Sequence, residues 1–142
     1  MSIDTAARER RRALVEAHMK AENRHDLDAI MQTFSDDAEM LYNRQSFADP
    51  ESIRQAHTYF GLAATSGAFG GLRVVPDHVH DTGDEVVIEG RMCGKHVGEF
   101  GGFPATDRDV EMPYVAFYRF DDAGKLASER VVMNLAALAA PR

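Results

Sequence analysis

His96, Arg130 and Asn134 are the side chains whose chemistry stands out along the second half of this chain. An imidazole titrates near neutral pH, so His96 can give a proton to, or take one from, a group beside a carbonyl. The alternative is a structural histidine that hydrogen-bonds the loop holding Gly98 and Gly101. Arg130 in an apolar pocket would recognise an anionic or carbonyl-bearing ligand; otherwise it pairs with an acid or points outward through a bulge. Asn134 cannot take a proton at neutral pH. It can help hold an enolate or carbonyl oxygen, or it can cap the end of a sheet. Tyr114 and Tyr118 offer walls to the same cavity, with Met92, Tyr42, Asn43 and His80 as further candidates. His78 and His80 lie two apart in an extended segment, but a metal site needs a third and fourth ligand. None has recognisable spacing, so no metal and no cofactor are expected. His18, His25 and His57 read as ordinary helix histidines. There is no nucleophile elbow, phosphate loop or dinucleotide fingerprint.

The elements that must position these groups follow from periodicity. Residues 5–25 avoid Gly and Pro and are rich in helix formers, with Leu14, Ala17 and Ala21 on one face and Arg11, Glu22 and Arg24 turned to water. A short second helix is capped by Asp26, with Leu27, Ile30, Met31 and Phe34 as its stripe. Residues 38–43 read as a short strand. Asp49-Pro50-Glu51 starts a third helix, with a capping acid and a proline at the first position. Ile53, Ala56, His57 and Phe60 share one face of it. The glycine-rich stretch 61–71 ends that helix. Thereafter the period is two, and residues 72–80, 85–100, 110–120 and 125–135 read as strands joined by turns at 81–84, 104–107 and 121–124.

Alternation sorts the strand residues by face. Val86, Ile88, Gly90, Met92, Gly94 and His96 share the covered face of one strand; in the next, Met112, Tyr114, Ala116, Tyr118 and Phe120 share one face and Pro113, Val115 and Phe117 the other, and both faces are apolar. In the last strand, Ser128, Arg130, Val132 and Asn134 are expected inside, and Glu129, Val131 and Met133 outside. A bulge would reverse this downstream. On this register the two nearby acids, Glu99 and Glu129, face away from the cavity, and Glu99 is expected to anchor a loop. A hydrolase or dehydratase built on paired inward carboxylates therefore ranks last.

The length of 142 residues suits one domain, 1–142, with a sizeable core. A net charge of −7 argues against nucleic acid as a partner. The basic run Arg8-Glu9-Arg10-Arg11-Arg12 reads as a solvated helical turn. The single cysteine, Cys93, excludes an intrachain disulfide and suits a reducing compartment. No apolar run approaches the ~20 residues that span a membrane, and no signal peptide is evident, so a cytoplasmic location is expected. Helices first and a strand meander after them give an α+β two-layer domain.

The stretch Gly94-Lys-His-Val-Gly-Glu-Phe-Gly-Gly-Phe-Pro-Ala-Thr106 resembles the Gly-Thr-His-Thr-Gly-Glu-Phe-x-Gly-x-Pro-x-Thr-Gly signature of SnoaL-like polyketide cyclases. The segment from Arg119-Phe120 to Lys125-Leu126 resembles their next hairpin. The resemblance implies a cone: a curved antiparallel sheet wrapped around N-terminal helices, as in nuclear transport factor 2 and ketosteroid isomerase. It also implies a small-molecule substrate, proton transfer beside a carbonyl, and a homodimer. The chemistry would be aldol cyclisation or a related isomerisation or dehydration. His96 falls on the signature histidine. The family motif Trp-x-x-x-Asp-x-x-x-Leu falls on Arg130, Asn134 and Leu138, so the catalytic aspartate is replaced by an amide. The sequence therefore offers two readings. One is a cyclase-like enzyme using His96 and Asn134, with Arg130, Tyr42, Asn43, Tyr114, Tyr118, Met92 and His80 binding substrate. The other is a non-catalytic binder that has lost the aspartate.

Overall fold

The computed structural model describes residues 5–65 and 67–139. Its first helix, α1 (Thr5–Asn23), presents Val15, His18, Met19, Ala21 and Glu22 to the interior. Ala17 is exposed, so the buried face is rotated from the expected one and carries Glu22 inward. Helix α2 (Leu27–Gln32) starts where the Asp26 carboxylate accepts from the Ala29 N–H. Helix α3 (Pro50–Phe60) starts where Asp49 accepts from the Ser52 N–H and hydroxyl. Each cap satisfies a donor that the helix itself leaves unpaired. The predicted face of Ile53, Ala56, His57 and Phe60 is the one buried.

Six strands follow or interleave: β1 (Phe34–Tyr42), β2 (Gln45–Phe47), β3 (Phe69–Asp81), β4 (Glu85–His96), β5 (Asp109–Phe120) and β6 (Leu126–Met133). They form one open sheet in the order β2-β1-β6-β5-β4-β3. Strands β3 to β6 are the expected antiparallel meander. The sheet as a whole is mixed, because β1 pairs with β6 in parallel. No hairpin joins those two strands, so nothing forces them to run in opposite directions. Strand β1 begins four residues earlier than expected. The short β2 follows a two-residue turn in which Asn43 and Arg44 both have positive φ, at 43° and 77°. Such a turn matches the twist of the flanking strands. Register shifts in β3 opposite β4 add bend to the sheet.

The core lies between the helices and one sheet face, where Ile30, Ile53, Leu72, Ile88, Met112, Ala116 and Leu126 are wholly buried. The C-terminal end of α1 is stitched to β3. The Asn23 side chain donates to the Val74 carbonyl and accepts from the Val74 N–H, and His25 Nε2 sits 2.7 Å from the Leu72 carbonyl oxygen. These bonds fix where the inward side chains of α1 stand over the sheet. No helix among the described residues is long and apolar enough to cross a membrane.

Gly61 closes α3 with φ of 116°, and a Cβ there would collide with the Phe69 carbonyl. Gly61→Ala is expected to destabilise the protein by about 1–3 kcal/mol, from the backbone strain alone, measured by guanidinium unfolding.

Candidate active site

The parity of β6 decides what the sheet offers to the interior. Phe120 pairs with Leu126, whereas Arg119 pairs with Ser128, leaving Ala127 as an extra residue on β6. That bulge flips every later side chain. Glu129, Val131 and Met133 therefore face inward, and Arg130, Val132 and Asn134 face out. Glu129 lies directly across from Tyr118, and Met133 across from Tyr114.

Four ionisable side chains meet beneath the helices: His18 and Glu22 from α1, His57 from α3, and Glu129 from β6. All four are buried. His18 Nε2 lies 3.6 Å from Glu22 Oε2 and 3.5 Å from Glu129 Oε2. His57 Nε2 lies 3.9 Å from both Glu22 Oε2 and Glu129 Oε1. Burial favours a neutral His18, but the facing carboxylates of Glu22 and Glu129 outweigh it and hold its pKa up at about 10. Burial would likewise raise the Glu129 carboxyl. His18, helped by His57 and by a hydrogen bond from Tyr118, instead brings it below its ordinary value. Burial, then the nearby negative charges, push both the Tyr114 and Tyr118 phenols upward, so each remains a proton donor.

Above this floor is a slot lined by Glu22, His57, Tyr114, Tyr118 and Glu129 together with Met40, Met92 and Met133. Its free cavity volume is only about 20 Å³. That is room for about one water. Three methionines line the slot, and their unbranched side chains can be displaced at small cost. Outside it opens a wider vestibule walled by Phe47, Tyr59, Phe100 and Gln55. Tyr42 and Phe60 line both spaces and divide them, with ring centroids 5.0 Å apart. Phe100 packs against both, at 5.8 and 4.7 Å.

The expected trio of His96, Arg130 and Asn134 is not brought together. Asn134 is exposed, and its side-chain oxygen accepts from the Ala136 N–H, the capping alternative. The Arg130 guanidinium lies outside, 4.7 Å over the ring of its cross-strand neighbour Phe117. The reason in both cases is the Ala127 bulge. His96 does lie on the covered face, but it stacks on Phe69 and its Nδ1 is 3.1 Å from Thr106 Oγ1. It lines neither the slot nor the vestibule. His80 is on the exposed end of β3, paired with Glu89 at 2.8 Å. Asn43 clamps the last strand instead of facing the slot, donating to the Met133 carbonyl and accepting from its N–H. Tyr42, Met92, Tyr114 and Tyr118 line the slot. Glu99 anchors its loop, accepting from the Gly102 N–H and the Tyr59 hydroxyl.

Sequence reasoning missed His18, Glu22, His57 and Glu129. One local signal was present: His18 and Glu22 are four apart on a helix, hence neighbours on one face. His57 already stood on a predicted apolar face. Only the bulge hid Glu129.

The family model for the SnoaL-like domain matches residues 15–129, and the chain belongs to that family. A candidate SnoaL-like polyketide cyclase from Jannaschia sp. CCS1 is 22% identical, with each chain fully covered and a TM-score of 0.82. A candidate polyketide cyclase from Xanthomonas campestris is 20% identical over 94% of this chain and 99% of that one, with a TM-score of 0.78. AclR, a candidate hydroxylase from Streptomyces galilaeus, is 25% identical over 90% of this chain and 77% of that one, with a TM-score of 0.73. The first two carry the fold alone, which is the ketosteroid isomerase-like one. No match is found among curated proteins.

Because the folded chain holds the His18 proton up to about 10 while the unfolded chain releases it near 6.5, the contribution of this group is full below 6.5 and fades as pH rises through 10. Glu129 contributes above the ordinary carboxylate value and loses its contribution as pH falls below it. In chelating buffer the melting temperature should fall between pH 7 and 10, and His18→Gln should flatten that slope.

Proposed function

We propose that the protein is an acid/base enzyme acting on an apolar, carbonyl-bearing small molecule, with intramolecular aldol cyclisation as its reaction. The observation that carries this reading is a pair of buried atoms. Glu129 Oε1 and the Tyr114 hydroxyl have no hydrogen-bond partner among the described residues, and both residues line the same slot. Buried polar atoms without partners are costly, and a substrate that meets both relieves the cost.

Glu129, held ionised by His18, takes a proton from the carbon next to a substrate carbonyl. Tyr114 donates a hydrogen bond to the carbonyl oxygen as it gains charge. The enolate carbon then attacks a second carbonyl of the same molecule, and the Glu129 proton passes to the new alkoxide. The walls of Tyr42, Phe60 and Phe100 favour a flat, apolar substrate. Ketosteroid isomerase, a worked case of this chemistry, likewise joins a carboxylate base to a buried tyrosine donor. Asn134 does not choose between a catalytic and a non-catalytic reading, because it stands outside the slot. Paired inward carboxylates and histidines, ranked last on sequence, are what the interior holds.

The homodimer belongs to the same reading. Val132, Phe117 and Val115 form an outward row on neighbouring strands, with Val132 58% exposed. Sedimentation at micromolar concentration should show a dimer; a monomer removes this part.

The reaction is testable without the natural substrate, by following exchange of α-protons for deuterium in aryl-substituted β-diketones by NMR. The protein should accelerate exchange. Glu129→Gln should lose about 10²–10⁴ of the acceleration and Tyr114→Phe about 10²–10³. Arg130→Ala and Asn134→Ala should retain it. Full exchange in Glu129→Gln, with circular dichroism unchanged, would overturn the assignment.

A further inference from the structure

The hydrogen bonds behind the two buried histidines fix which nitrogen each presents. Thr33 spends its hydroxyl proton on the Ile30 carbonyl, at 2.6 Å, so its oxygen accepts from His18 Nδ1, at 2.8 Å. His57 Nδ1 donates to the Ile53 carbonyl, at 2.8 Å. Both rings therefore turn Nε2 toward the space between α1, α3 and β6. Such a backing bond on the far nitrogen is how metal-binding imidazoles are oriented.

The front side of the cluster is too wide for hydrogen bonding. Glu22 Oε2 is 3.6 Å from His18 Nε2 and 3.9 Å from His57 Nε2, beyond the ordinary range of about 2.7–3.2 Å. His18 Nε2 is buried with no hydrogen-bond partner among the described residues. The ligand atoms of His18, Glu22 and His57 all lie within 4.8 Å of one another. Donors about 2.0–2.2 Å from a tetrahedral zinc ion stand roughly 3.4 Å apart, so the three close on such an ion by contractions of at most about 1.4 Å.

We propose that His18 Nε2, Glu22 and His57 Nε2 form a binding site for a divalent cation of the zinc class, with its fourth position facing Glu129 and the slot. Two imidazoles and a carboxylate suit zinc or cobalt; calcium and magnesium require more oxygen ligands. Glu129 supplies the second negative charge beside the ion and keeps the site neutral overall. Loading displaces the His18 proton, so the cation takes over from it in holding Glu129 ionised. The fourth position is where a water or a substrate carbonyl oxygen would bind. The inference concerns occupancy and stands whether or not the proposed reaction does.

The test is titration of chelator-stripped protein with cobalt(II), read by visible absorption. One equivalent should bind with the strong absorption of a tetrahedral site, and zinc should displace it. His57→Gln and Glu22→Gln should abolish that signal. Thr33→Val removes no ligand and should weaken binding about 10–100-fold by freeing the His18 ring. The His78→Gln/His80→Gln double variant should bind as the parent does. No tetrahedral signal at one equivalent overturns the site, as does a signal that survives His57→Gln or vanishes with the His78/His80 variant. If the ligand variants fail to fold, X-ray absorption of the cobalt-loaded parent decides, two imidazoles supporting the site and none overturning it. Deuterium exchange in chelator reports the reaction separately from the metal.

Discussion

Four ionisable side chains under a single sheet must compensate one another, and much of the architecture serves that demand. An isolated buried carboxylate or imidazolium is costly, and removing one partner of a buried pair leaves the other charge stranded. His18 and Glu22 need α1 held over the sheet, which the Asn23 and His25 contacts to β3 achieve. His57 needs α3 closed against Phe69, which depends on Gly61. Glu129 needs β6 in one register only. The cluster therefore ties three elements distant in sequence to a common point, and it leaves atoms unsatisfied on the side where a ligand would come.

The bulge at Ala127 is the smallest feature with the largest consequence. One extra residue opposite Arg119 and Phe120 exchanges an arginine and an amide for a carboxylate on the inner face. It also places Glu129 directly across from Tyr118 in a dry interior. Asn43 holds the far end of the strand by bonding both polar groups of the Met133 backbone, which prevents the register from slipping back.

The glycine-rich loop after β4 does its work through shape. It brings Phe100 against Tyr42 and Phe60, and Glu99 pins the turn from its far side through Tyr59 and Gly102. The resulting aromatic wall sets the apolar character of the entrance. The polar floor beyond it is supplied by other elements. On the proposed function, recognition and chemistry come from different parts of the chain, and the signature motif speaks chiefly for the first.

The helices and their caps, the antiparallel meander and the inward position of Met92 were legible in the sequence because capping, turn chemistry and two-residue alternation are local, whereas the family and the inward face of Tyr114 and Tyr118 came with the resemblance. It also marked the loop that builds the entrance. The parallel pairing of β1 with β6, the rotation of the buried face of α1 and the parity of β6 were left to tertiary structure. A polar residue such as Glu22 or Glu129 reads as solvent-facing until its partners are known, and those partners lie on other elements. Burial of charge is a collective property: His18, Glu22, His57 and Glu129 are each tolerable inside only because the other three are there.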